Sequence, residues 1–156
     1  MSGYFRMRRD LSAPIGAAPL PDGVVLADFG IDIARDCRAL MDAAYAPAGY
    51  TPVPFESWYA ALTGEAEYDP ALVWVAMGGG AVVGFCQCWG TPFVKDLVVA
   101  ADWRERGLGA ALLTEALEAF AERGAPSIDL KTDIENAKAQ SLYRRLGFAI
   151  VERVDD

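Results

Sequence analysis

The stretch VVAADWRERGLGAALL, residues 98–113, passes from β-branched apolar residues through charge and glycine into a helical pattern. Backbone amides in the first turn of a helix have no intrahelical acceptors, and the helix dipole favours an anion there. Gly107 and Gly109 remove the side chains that would keep a bulky anion away from those amides. Arg104 and Arg106 add positive charge close by, where a screening length of about 8 Å mutes the remote acidic surface. Strand, turn and helix together make a candidate phosphate cradle. The spacing alone also fits an ordinary tight turn with solvated arginines. A dinucleotide fingerprint would need glycine where Leu112 stands, and a P-loop would need Gly-Lys followed by Ser or Thr; neither is present.

Outward from this junction, FVKDLVV reads as the strand before it, and Gly107 to Arg123 as the helix after it, stopped by Gly124. SIDLKT follows as a strand, Asn136 to Leu146 as a helix closed by Gly147, and FAIVERV as the last strand. Upstream, LVWVAM and AVVGFCQCW form a hairpin around Gly78, Gly79 and Gly80, a glycine run that no helix start follows. Ile31 to Ala46 has helical apolar spacing, and a weaker helix covers Pro54 to Leu62. VVLADF and YFRMRRDLS are earlier strands, joined by the irregular SAPIGAAPLPDG. A hairpin followed by strand–helix–strand predicts an α/β fold with a mixed sheet and helices on both faces.

Composition limits the chemistry. The 156 residues, 53% of them hydrophobic, suit one domain over 1–156, with 1–23 an extra N-terminal strand and connection. No apolar run of ~18 residues and no leader pattern occurs, so a cytoplasmic location is expected. A net charge of -8 argues against nucleic acid and anionic membrane as partners. Histidine is absent, which removes His-based triads and most zinc sites; no metal is expected. Cys37, Cys86 and Cys88 lack knuckle or disulfide spacing and read as packing residues, and without histidine an acyl-cysteine route has no obvious activating base.

Arg104-Glu105-Arg106-Gly107-Leu108-Gly109 resembles the acyl-coenzyme A signature of the GNAT acetyltransferase superfamily, and NAKAQSLYRRLGF resembles that family's second motif through Asn136, Ala139, Tyr143, Gly147 and Phe148. Two motifs in this order, about 25 residues apart across a strand, are far more specific than either alone. The similarity is good from Leu72 to Phe148. Further upstream, PDGVVLADF, FESWYAAL, EYDPALVWVA and VVGF look similar to single-domain relatives of mycothiol synthase.

The resemblance implies a GNAT fold whose central strands splay apart. It implies acetyl-CoA as cosubstrate, with pantetheine along Leu97, Val98 and Val99 and pyrophosphate on the amides of Arg104, Glu105, Arg106, Gly107, Leu108, Gly109 and Ala110. Asn136 and Tyr143 also meet the cofactor. The implied reaction is direct attack by a primary amine in a ternary complex. Tyr143 would protonate the leaving thiolate, and a backbone N–H near Val99 would hold the oxyanion. Asp96, an acidic residue in an apolar strand, is the candidate base, with Lys95 pairing or solvation as its bland alternative. Glu56, Glu65, Glu67 and Asp69 fall in the segment that lines the acceptor side in this family and could attract a cation, with solvated surface as the favoured alternative. Tyr143 on its own reads equally as a core residue, and Asn136 as a plain helix cap.

The implied partner is a small-molecule or peptide amine, with a homodimer as a further arrangement. A non-catalytic acyl-CoA sensor or interaction module on the same fold is the alternative, and an adenine-nucleotide binder a third. Family members commonly carry one more strand beyond the Gly-Phe strand. Tyr4 to Arg8 is therefore expected to pair in the carboxy-terminal half of the sheet, in the same chain or in a partner.

Overall fold

Period-two and 3.6-residue apolar patterns separate cleanly in the computed structural model, which describes residues 3–156; the first two residues of the expected segment 1–23 lie outside the described residues. In chain order the elements are β1 (Tyr4–Asp10), β2 (Val24–Ala27), α1 (Ile31–Tyr45), α2 (Phe55–Gly64), β3 (Val73–Gly78), β4 (Ala81–Trp89) and β5 (Phe93–Val99). Then follow α3 (Leu108–Glu122), β6 (Ser127–Asp133), α4 (Ala137–Arg145) and β7 (Ala149–Val154). The strands make one mixed seven-stranded sheet in the order β2-β3-β4-β5-β6-β1-β7. Gly79 and Gly80, both at positive φ, turn the β3–β4 hairpin, the conformation a two-residue hairpin loop requires.

Each face of the sheet carries its own core. On one face α3 lays Leu108, Leu112, Leu113, Ala116, Leu117 and Phe120 against β4, β5 and β6, with Tyr143 and Leu146 packed beside them. On the other, α1 and α2 cover Phe29, Val75, Phe85 and Val98 with Cys37, Met41, Leu62 and Trp58. Burying each large apolar side chain contributes about 1.5–3 kcal/mol before the entropy of ordering it is counted. The helix α3 comes unusually near the sheet at Gly84, where an added Cβ would stand 2.8 Å from Leu112 Cδ1 and 3.1 Å from Leu108 Cδ2. All three cysteines are free and buried, and burial pushes the Cys37 thiol up to about 12.

The strand YFRMRRD lies between β6 and β7 of the same chain, antiparallel to both. Its alternation explains the seat. Met7 is fully buried on the α3 face, and Arg9 points the same way. The Arg9 guanidinium is satisfied by four backbone carbonyls, those of Leu146, Asp10, Ala13 and Pro14, which ties the end of α4 to the connection after β1. On the opposite face Arg6 and Arg8 converge on Asp129 at 2.8 and 2.7 Å. Hydrogen bonds from these two guanidiniums hold the Asp129 carboxyl below its ordinary range.

One pairing is incomplete. The parallel strands β5 and β6 are matched only at Phe93↔Asp129 and Val94↔Leu130, and beyond that point they part. No helix among the described residues is long and apolar enough to cross a membrane.

Candidate active site

A cavity of about 1460 Å³ runs through the gap between β5 and β6. Its position follows from the fork: strands that diverge leave one edge of β5 without a neighbour. Ala100 N–H donates to Val83 O at 2.8 Å on the β4 side. The alternation of an antiparallel strand therefore directs the Leu97 and Val99 N–H groups to the opposite edge, into the gap. Leu97, Val98 and Val99 all line the cavity.

The cradle forms at one end of this gap. Glu105 has φ 61°, and Gly107, the N-cap of α3, has φ 84°. Two left-handed residues so close together curl the backbone into a concave nest of N–H groups at a helix start, a shape that suits an anion. For glutamate this conformation costs energy that glycine would not incur. A Cβ on Gly107 would meet nothing within 4 Å, and one on Gly109 would meet Leu142 Cδ2 at 3.4 Å and Val99 Cγ2 at 3.9 Å, ordinary contacts that leave the approach open. Arg104, Glu105, Gly107, Leu108, Gly109 and Ala110 line the cavity.

The two arginines of this turn differ. Arg104 Nε donates to Val99 O at 3.1 Å, fastening the turn to the strand exit. The Arg106 guanidinium instead stacks 4.6 Å above the ring of Trp103, itself a residue of the cavity lining. Trp103 is held there because Gly78 has no side chain; a Cβ at Gly78 would stand 2.9 Å from the indole.

Asn136 caps α4, its Oδ1 accepting from Ala139 N at 3.1 Å, and it also lines the cavity. About two turns on, Tyr143 enters the gap from the α3 face, with its ring 6.0 Å from that of Phe148. Burial and the neighbouring Cys86 push the Tyr143 hydroxyl up to about 12. At neutral pH it is a proton-bearing group.

Asp96 lies across Gln87 of β4, and the Tyr45 hydroxyl donates to its Oδ1 at 2.5 Å. Lys95 is not its ion-pair partner, since the two do not meet as a salt bridge among the described residues. Burial and the Asp96 carboxylate push the Tyr45 hydroxyl well above its usual range, so it remains a donor. Tyr45 falls inside the helix expected from Ile31 to Ala46 and is not singled out there. Its role is set by a strand 51 residues away, a tertiary fact with no local signal. The same holds for Tyr50, Trp58 and Trp89, which form an aromatic wall on this side of the cavity.

Of the four acidic residues expected on the acceptor side, Glu65 lines the cavity. Glu56 instead pairs with Arg35 at 2.8 Å on the surface, and Asp69 caps a short turn and pairs with Arg123 at 2.9 Å. Glu67 uses its backbone carbonyl to receive Gly90 N–H.

Comparison with known proteins agrees with this geometry. Residues 34–148 match the acetyltransferase (GNAT) family. A mycothiol acetyltransferase of Clavibacter michiganensis subsp. michiganensis is 35% identical over 140 residues, covering 86% of this chain and 45% of its own length. Another, from Thermobispora bispora, is 34% identical over 164 residues, covering 92% and 52%. The chain thus spans about half the length of the curated relatives it matches. The crystal structure of a GCN5-related N-acetyltransferase from Sphaerobacter thermophilus superposes with a TM-score of 0.85 at 27% identity, over 99% of this chain and 50% of that one. An aminoglycoside N-acetyltransferase in complex with CoA shares the fold at a TM-score of 0.67 and 19% identity, over 84% of this chain and 91% of that one. On the family match and the splayed sheet with its nest, the chain belongs to the GNAT acetyltransferase family.

Proposed function

We propose that this chain transfers an acetyl group from acetyl-CoA to a primary amine by direct attack within a ternary complex. The observation that carries the reading is the single cavity in which the nest, the free edge of β5, Tyr143 and Asp96 all meet. The nest at Glu105 and Gly107 fits a pyrophosphate, and the free edge of β5 leading to it fits the amide-bearing pantetheine arm as an added strand. Acetyl-CoA supplies the activated acyl thioester.

The residues divide the proton work between the two faces of the sheet. Tyr45 holds one oxygen of Asp96 and orients the carboxylate, whose other oxygen takes the proton of an incoming ammonium. The Val99 N–H faces the gap and suits the oxygen of the attacked carbonyl. Tyr143, on the opposite side of the gap, carries a proton at neutral pH and gives it to the departing thiolate. The aromatic wall of Tyr50, Trp58 and Trp89 packs the body of the acceptor and excludes water.

The test is release of free thiol from acetyl-CoA in the presence of a panel of amines, small metabolites and peptide termini together. Amine-dependent thiol release is the expected result. Tight acetyl-CoA binding with no thiol release across the panel would favour the non-catalytic sensor instead.

A further inference from the structure

The chain has only three lysines against eleven arginines, and all three, Lys95, Lys131 and Lys138, line the one cavity. Lys138 lies at the cradle end, 3.7 Å from Glu105. The other two sit at the fork. Val94↔Leu130 is the last matched pair of β5 and β6, so Lys95 and Lys131 are the first residues past it on either strand. The strands part from this point, so two like charges flank the opening of the sheet, one on each strand.

Among the described residues neither ammonium has a carboxylate within 4.0 Å. Asp129 is engaged by Arg6 and Arg8, and Asp96, one oxygen of which receives the Tyr45 hydroxyl, forms no ion pair with either lysine. Asp133 lines the cavity opposite Tyr4 in register but is not paired with either lysine. Lys131 rests with its Nζ 4.7 Å from the centre of the Tyr4 ring, which holds its position without cancelling its charge. Two exposed cations flanking one opening, neither in an ion pair among the described residues, are unexpected in a molecule of net charge -8. Such a pair is favourable once an anion lies between them.

We infer that Lys95 and Lys131 form a subsite for an anionic group, a carboxylate or phosphate, carried by the acceptor amine. This rests on the transferase reading for the word acceptor, and on the fork alone for the anion. Lys95 adjoins Asp96 where the β4–β5 register shifts between Gln87↔Asp96 and Cys88↔Val94, so one small molecule with its nitrogen at Asp96 can carry its negative group to the fork. Tyr4, from β1, completes the wall beside Lys131.

Three matched pairs of amines test this: phosphoethanolamine and ethanolamine, glucosamine 6-phosphate and glucosamine, glutamate and glutamine. Affinity is measured by calorimetry on the full chain saturated with CoA, and kcat/KM by thiol release with acetyl-CoA. In at least one pair the more anionic member should bind tighter by on the order of tenfold, and the preference should shrink as salt is raised. The double variant Lys95→Gln with Lys131→Gln, shown to be folded by its melt and its CoA affinity, should lose most of that preference, and Lys95→Arg with Lys131→Arg should keep it. No preference in any pair, or a preference unchanged in the glutamine variant, overturns the subsite. Preferential binding without turnover would instead leave the subsite standing and remove the transferase reading, and turnover without preference would do the reverse.

Discussion

Gly84→Ala should couple stability to coenzyme binding. The position is on β4 beneath the first turns of α3, and the new methyl carbon would stand 2.8 Å from Leu112 Cδ1, 3.1 Å from Leu108 Cδ2 and 3.3 Å from Ala76 Cβ. The leucines are 0% and 1% exposed, and the alanine belongs to the neighbouring strand, so none has open space to yield into. Overpacking of this kind costs about 1–3 kcal/mol. In a chain of this size each kcal/mol moves the melting temperature by roughly 2–4 °C, giving a fall of roughly 2–12 °C. The strain is relieved most easily by lifting the amino-terminal end of α3, and Leu108 is the first residue after the nest. CoA affinity should therefore fall with stability. Differential scanning calorimetry and CoA titration read the two effects, with Gly16→Ala as the control because a Cβ there meets nothing within 4 Å. A Gly84→Ala protein with wild-type melting temperature and wild-type CoA affinity would refute the argued tight approach of α3 to the sheet and its link to the nest.

Four further outcomes can be measured. Tyr143→Phe should lower kcat by on the order of a hundredfold with CoA affinity nearly unchanged, and a wild-type rate would return Tyr143 to a packing role. Asp96→Asn should lose amine-dependent rate at neutral pH and partly recover it at higher pH, where more amine is already neutral; superimposable pH–rate profiles would dismiss Asp96 as the base. Gly109→Val should weaken CoA binding in a folded protein, because its branched side chain projects into the approach that Gly109 leaves open, and unchanged affinity by calorimetry would count against the cradle. Asp129 contributes stability that is present above the ordinary aspartate range and lost as pH falls through its lowered folded-state value. Asp129→Asn should accordingly flatten the acid limb of a plot of melting temperature against pH, and an unaltered acid limb would show that the Arg6 and Arg8 pairs add nothing.

Most of the elements were legible because their signals are local. The glycines that end α3 and turn the β3–β4 hairpin, and the two-residue alternation of β4, each specify structure within a window of a few residues. The nest was legible for the same reason, since Gly107 and Gly109 sit in one turn. What escaped depends on which distant surfaces meet. Arg106 and Arg104 look equivalent in the sequence, and only the Trp103 ring, seated against Gly78, distinguishes the one that stacks on it. Tyr45 acquires its partner from β5, and Glu65 differs from Glu56 and Asp69 only in which neighbours fold beside it. The Asp96–Tyr45 contact was therefore half readable: Asp96 stood out as a charge in an apolar strand, whereas the hydroxyl that bonds it did not.

The place of β1 between β6 and β7 has a consequence for the timing of synthesis. Arg6 and its partner Asp129 are 123 residues apart. At about 5–20 residues per second, β1 waits roughly 6–25 s for its first neighbour to be made, and longer for its second. Throughout that interval it is an unmatched strand on a growing chain, the kind of segment that pairs with whatever strand is nearest. YFRMRRD carries three arginines in seven residues, and charge of this density keeps an idle strand from sticking to others. The arginines that later clasp Asp129 and the end of α4 thus have an earlier task as guards against aggregation on the ribosome.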